Sequence, residues 1–257
     1  MSEKDKNTLT RLAISCLDLT SLNGDETQND IIALCNRAKQ PQATAAVCVY
    51  APHVPLAVKE LAGTGIQIAA VANFPGGDEG LDAAREQTKA LLDSGANEVD
   101  LVIPYRDWQN GQHGLVTDMV EACSELCSGR GLLKVILESG AFSDQEDLYT
   151  LSRAVIGAGA DIIKTSTGKT EVSATPQAAM TMLHAIRDSG ARCGFKASGG
   201  IRTTEQAHRF MGFAEQVMGP EWISPKTFRF GASGLLTDLL ASLGHSSGSD
   251  SGTSSSY

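Results

Sequence analysis

A closed α/β barrel of the (β/α)8 (TIM-barrel) kind is the fold class this sequence predicts, and three observations predict it. Short segments rich in β-branched and aliphatic residues alternate with longer amphipathic ones from end to end, giving eight β-then-α units in about 240 residues. Helix-stop signals recur in one form: Gly95-Ala96, Gly159-Ala160 and Gly190-Ala191 each stand just before an apolar segment. The chain has 257 residues, 42% hydrophobic and 20% charged, enough apolar surface for one large core. A doubly wound open sheet shares the alternation and is the structural alternative.

The strand candidates, in order, are 11–20, 44–50, 66–74, 98–105, 132–139, 161–167, 192–198 and 228–233. Between them, 26–40, 79–96, 144–160, 175–191 and 203–219 carry apolar residues at three- and four-residue steps, as amphipathic helices do. Ser143, Thr175 and Thr203 sit where N-caps belong, and Pro176 takes a first helical position. Residues 1–244 read as one barrel domain. Residues 245–257, HSSGSDSGTSSSY, cannot bury enough apolar surface to order themselves and read as a flexible tail ending in Tyr257.

Composition excludes several classes. A net charge of −9 offers no clustered basic surface, so no nucleic-acid partner is expected. No apolar run reaches the length of a membrane span, and the polar opening MSEKDKNTLT lacks the core of a signal peptide. The six cysteines form no CxxC pair, so they are expected to be reduced thiols in a cytoplasmic protein. His53, His113, His184, His208 and His245 are dispersed, so no metal and no other cofactor is expected.

The segment DIIKTSTGK (161–169) poses the functional question, because Lys164 directly follows the apolar Ile162-Ile163. In a barrel, alternate strand residues face the interior and reacting side chains come from C-terminal strand ends. That period aims Lys164 inward from strand 6, Lys196 from strand 7, Asp100 from strand 4, Asp18 from strand 1 and Cys48 from strand 2. Strands 6 and 7 are neighbours, so two lysines converge with carboxylates opposite. A purely structural ion-pair network is the bland interpretation. Against it, burial and a cationic neighbour both depress an amine pKa, and a neutral buried amine is a nucleophile toward carbonyls.

Glycine-rich turns follow strands 7 and 8, ASGGIR (197–202) and GASG (231–234), and Gly168-Lys169 follows strand 6. Three such turns on one barrel face point to a phosphate site. Gly168-Lys169-Thr170 mimics the end of a P-loop, but Ile163 stands where that motif needs its first glycine, so a nucleotide cradle is not expected.

These segments together resemble the 2-deoxyribose-5-phosphate aldolases, a class I aldolase family. The resemblance rests on DLT (18–20), CVY (48–50), ANFP (72–75), EVDLVIPYR (98–106), LKVILESG (133–140), IIKTSTGK (162–169), GFKASGGIR (194–202) and RFGASGLL (229–236). It implies reversible cleavage of 2-deoxy-D-ribose 5-phosphate to acetaldehyde and D-glyceraldehyde 3-phosphate. It further implies that Lys164 forms the Schiff base, that Lys196 perturbs it and takes part in proton transfer, and that Asp100 is the acid/base carboxylate. Asp18 and Thr167 match residues lining the substrate end. Gly168, Lys169, Gly199, Gly200, Ser233 and Gly234 match the phosphate-binding turns. Ala197 stands where many relatives have proline, and Gly234 where they have a second serine, which removes a hydroxyl from the phosphate site.

Cys48 reads as a small core residue, with a thiol open to inactivation by aldehydes as the sharper alternative. Tyr257 is the other accessory candidate, for proton transfer at the carbon that becomes acetaldehyde's methyl. Another sugar-phosphate barrel enzyme, transaldolase-like or an isomerase, and a non-catalytic phospho-ligand-binding barrel are the competing functions. The expected partners are a phosphorylated sugar and aldehydes, with a homodimer left open as the assembly.

Overall fold

The computed structural model describes residues 3–245; all of the expected tail (245–257) but His245, Tyr257 included, lies outside the described residues. Eight parallel strands close into a barrel in chain order, with β8 pairing back onto β1. The strands are β1 (Leu17–Thr20), β2 (Ala46–Val49), β3 (Gln67–Ala72), β4 (Glu98–Val102), β5 (Leu132–Ile136), β6 (Ile162–Lys164), β7 (Gly194–Ser198) and β8 (Phe228–Ala232). The helices are α1 (Glu3–Ser15), α2 (Gln28–Lys39), α3 (Val54–Glu60), α4 (Leu81–Asp93), α5 (Tyr105–Gln109), α6 (His113–Cys127), α7 (Gln145–Gly157), α8 (Pro176–Ser189), α9 (Thr204–Met218) and α10 (Leu235–Ser242).

The alternation of each strand sorts its side chains into two environments. Leu17, Leu19, Val47, Val49, Val99, Leu101, Leu133, Val135, Ile163, Phe195 and Phe230 join the core shared with the helices. Cys48, Ala69 and Val71 form a separate small apolar cluster with Leu22. The residues between those core positions on the other strands are polar, and they build the site.

Helix ends follow the expected chemistry. Thr175 and Thr203 cap α8 and α9, Thr203 within a capping box completed by Gln206, and Pro176 opens α8. Gly190 ends α8 at φ 66°, a left-handed conformation that favours glycine.

Three expectations need correction. The apolar residues of 11–15 end α1 rather than begin a strand: Thr10, Ala13 and Ile14 are buried at helical spacing, and β1 starts only at Leu17. Asp144, not Ser143, caps α7, its carboxylate accepting from the Glu146 N–H at 2.9 Å. β6 ends at Lys164, earlier than the sequence pattern suggests. Beyond it the chain turns out of the ladder, and Thr165 Oγ1 exchanges hydrogen bonds with the Ser198 N–H and C=O at 3.0 and 3.1 Å.

Candidate active site

The interior of the barrel holds three carboxylates and four cationic side chains, all at most 4% exposed: Asp18, Glu98, Asp100, Lys134, Lys164, Lys196 and Arg229. Lys134 Nζ touches Glu98 at 2.6 Å, Asp100 at 2.8 Å and Asp18 at 3.0 Å. Arg229 reaches Asp18 at 2.5 Å and Glu98 at 2.8 Å. Lys196 Nζ donates to Asp18 Oδ2 at 2.6 Å and to Asp100 Oδ2 at 2.7 Å. Among the described residues, Lys164 Nζ has one carboxylate partner, Asp100 Oδ2 at 2.8 Å.

This inventory decides which amine gives up its proton. Fully protonated, the cluster carries one positive charge too many for a dry interior. Lys134, Lys196 and Arg229 each meet two or three carboxylates, and Lys164 meets one. Burial would lower the Lys134 and Lys196 amines, but Asp100 and Asp18 outweigh it and both values rise. For Lys164 burial dominates, Asp100 alone does not offset it, and the Lys196 charge adds to the fall. Burial likewise opposes ionisation of Asp18 and Asp100, yet the surrounding cations hold both carboxyls below the usual range.

Room for this packing comes from one glycine. A Cβ on Gly231 would lie 2.9 Å from Lys196 Cε and 2.7 Å from Ser198 Oγ, so any larger residue there would displace the lysine stem.

Above the cluster lies a cavity of about 130 Å³ with Lys164 in its wall. Thr167 and Gly168 come to it from the β6 turn, Gly199, Gly200 and Arg202 from the β7 turn, and Ser233 and Gly234 from the β8 turn. Gly199 and Gly200 are consecutive at φ 85° and 79°, left-handed backbone that favours glycine, and Gly234 precedes the N-terminus of α10. An amine that can be neutral at one end and anion-binding backbone at the other suit a phosphorylated carbonyl compound. Among the described residues no group of three or more His, Cys, Asp or Glu is arranged to hold a metal ion.

The expected residues fall into three sets. Lys164, Lys196 and Asp100 are brought together, as are Thr167, Gly168, Gly199, Gly200, Ser233 and Gly234. Two positions differ from expectation. Asp18 does not line the cavity: it is fully buried, and its carboxylate accepts from Lys134, Lys196 and Arg229. Lys169 also stands outside the lining, its ammonium donating to the Leu22 carbonyl at 2.5 Å across the rim. Cys48 is fully buried with its thiol pushed up to about 11 by burial and then by Asp100, which keeps it protonated.

Sequence reasoning assigned no role to Glu98, Lys134, Arg229, Arg202 or Glu138. The signal for Lys134 and Arg229 was the one used for Lys164, a cation inside an apolar strand, as in LLKVI and FRFGA. Glu138, at φ 51° and fully buried, accepts from the Thr167 hydroxyl at 2.5 Å and the Thr170 hydroxyl at 3.1 Å.

A family model described as DeoC/LacD family aldolase matches residues 12–237. Among solved structures, one from Toxoplasma gondii, provisionally described as a deoxyribose-phosphate aldolase, is 25% identical with a TM-score of 0.85, over 93% of this chain and 97% of its own. Another of that provisional description, from Coccidioides immitis, is 25% identical with a TM-score of 0.80, over 95% of this chain and 98% of its own. A deoxyribose phosphate aldolase from Aeropyrum pernix, described as tetrameric, is 23% identical with a TM-score of 0.77, over 95% of this chain and 99% of its own.

Proposed function

The chain belongs to the DeoC/LacD aldolase family, and from that premise we propose that it reversibly cleaves 2-deoxy-D-ribose 5-phosphate to acetaldehyde and D-glyceraldehyde 3-phosphate through a Schiff base on Lys164. The single observation that carries this reading is the buried Lys164 amine, which has one carboxylate partner while its neighbours have two or three. Neutral Lys164 adds to the substrate carbonyl. Asp100, ionised in the resting cluster, relays a proton from Lys196 to the departing hydroxyl, directly or through a water, and the iminium forms. The C2–C3 bond then breaks, its electron pair moving into the iminium to give an enamine while the C3 hydroxyl gives up its proton. Protonation of the enamine carbon and hydrolysis release acetaldehyde and the free amine. Asp100 Oδ2 touches both amines, the contact this relay requires.

At the far end the Gly199–Gly200 and Ser233–Gly234 turns hold the phosphate, which fixes the reacting carbon against Lys164. Arg202, in the same wall, adds a cation there. Charge placement supports phosphate over an uncharged sugar: the protein carries −9 overall, so an anion needs this local donor set.

Six free, buried cysteines support a reducing, cytoplasmic setting. Among the described residues no helix is long and apolar enough to cross a membrane. A homodimer is the assembly we propose, to be measured by light scattering.

Incubation with acetaldehyde followed by borohydride reduction tests the reading. A stable adduct mapped to Lys164, with loss of activity, is expected. An active protein with Lys164 unmodified would exclude it.

A further inference from the structure

Four acidic side chains are fully buried among the described residues, and three of them belong to the lysine cluster. Glu138 is the fourth, and it sits behind the cavity wall. We propose that Glu138 is a positioning residue that fixes the Thr167 hydroxyl as a hydrogen-bond acceptor toward the cavity, so that the site selects an aldehyde with a hydroxyl beside its carbonyl. This rests on the aldolase reading above and adds a specificity rule to it.

A hydroxyl has one proton and two lone pairs. The Thr167 proton goes to Glu138 Oε2 at 2.5 Å, and one lone pair receives the Lys169 N–H at 3.0 Å. One lone pair remains, so a substrate group meeting this oxygen must donate. The proton cannot easily reverse, because Glu138 is already ringed by donors: the Thr167 N–H at 3.3 and 3.4 Å and the Thr170 hydroxyl at 3.1 Å. The Thr167 N–H has these oxygens as its acceptors, and the Thr170 hydroxyl divides its proton between Glu138 and the Val172 carbonyl, also at 3.1 Å.

The backbone holds this arrangement in place. Ser139 N–H donates to the Thr165 carbonyl at 2.7 Å, and Leu137 N–H to that of Lys164 at 3.0 Å. A Cβ on Gly140 would lie 2.0 Å from the Val172 carbonyl oxygen, so the β5 turn is pressed against the β6 turn. Glu138 itself is at φ 51°, where a non-glycine residue persists only if its surroundings over-determine it.

Lys164, Thr167 and Gly168 line the same cavity, and Thr167 lies between the other two in the chain. The middle carbons of a phosphorylated chain pass this point. The hydroxyl nearest the phosphate-bearing carbon is the one that can be deleted without touching the reacting atoms. A site built to pair a substrate hydroxyl rejects the analogue lacking it, because its own polar group is left unpaired.

The test compares D-glyceraldehyde 3-phosphate with its 2-deoxy analogue, 3-phosphooxypropanal, with acetaldehyde as donor. The ratio of the two kcat/KM values is expected to favour the 2-hydroxy aldehyde by at least about tenfold. Thr167→Val and Glu138→Ala should each bring the ratio close to one, with no further loss in the double variant. Glu138→Gln keeps an oxygen for Thr167 and should retain most of the preference. A folded Glu138→Ala with the original ratio, or a double variant whose losses multiply, overturns the proposal. If Glu138→Ala does not fold, the unmodified enzyme still decides. The 2-fluoro analogue accepts but does not donate, so its KM should match the 2-deoxy one; a KM equal to that of the 2-hydroxy aldehyde overturns the proposal. Borohydride trapping of acetaldehyde on Lys164 needs no acceptor aldehyde. An adduct without hydroxyl preference therefore rejects the role of Glu138 alone, and no adduct rejects the aldolase reading.

Discussion

Lys164 and Lys196 stand in register on adjacent strands and share one carboxylate oxygen, Asp100 Oδ2, at 2.8 and 2.7 Å. They differ in what else they touch among the described residues: Lys196 also has Asp18, and Lys164 has no second carboxylate. A single contact thus separates a lysine held charged in the resting cluster from one that can serve as a nucleophile.

The charge count of the cluster should set the pH profile. The titratable groups facing Lys164 come from β1 (Asp18), β2 (Cys48), β4 (Glu98, Asp100), β5 (Lys134), β7 (Lys196) and β8 (Arg229). Activity requires neutral Lys164, so kcat/KM rises with pH through its pKa. Arg229→Met removes a cation and should move that limb to higher pH, by about one unit. Glu98→Gln removes a carboxylate and should move it to lower pH. A pH–rate series that shifts both variants the same way would refute the count.

Two lysines on neighbouring strands should have opposite effects on stability. Lys134→Met leaves Asp18, Glu98 and Asp100 short of a partner and should cost about 3–5 kcal/mol. Lys164→Met removes the excess cation, so thermal unfolding should occur at the same or higher temperature while activity is lost. The carboxylates add a pH effect whose sign is fixed. The folded-state values of Asp18 and Asp100 lie below the ordinary 3.8, so their contribution is present above it and lost as pH falls below it. Denaturant midpoints between about pH 6 and pH 2 check this.

The two phosphate turns should respond differently to an added side chain. Gly199→Ala combines φ 85° with a Cβ 2.5 Å from Ser173, so KM for the phosphorylated substrate should rise at least about tenfold. Unphosphorylated 2-deoxyribose should lose much less. Gly234 is at φ −94° with open space around its Cβ, so Gly234→Ser should fold normally and lower that KM. Initial-rate kinetics on both sugars distinguish the outcomes.

Cys48 should be inert. A fully buried thiol held at about 11 supplies almost no thiolate at neutral pH, so alkylating reagents should reach it only on unfolding. Cys48→Ala should leave tolerance to high acetaldehyde unchanged, as residual activity after incubation would show.

The sequence by itself determined the barrel, because strand alternation, helix caps and Gly-Ala stops are local signals. It also determined the pairing of Lys164 with Lys196, since neighbouring strands with inward lysines must bring them together. It missed α1, whose apolar residues at 11–15 look like a strand when its polar first turns are ignored. Only the tertiary structure decided how the charges are shared. Lys134, Glu98 and Arg229 come from three different strands, and their contacts depend on how the barrel's register stacks them. That stacking took Asp18 out of the cavity and left Lys164 with a single carboxylate. It also set Glu138 behind Thr167, a contact between two turns that no local pattern encodes. Local propensity fixes the elements, and the closed barrel fixes the distances on which an amine's protonation depends.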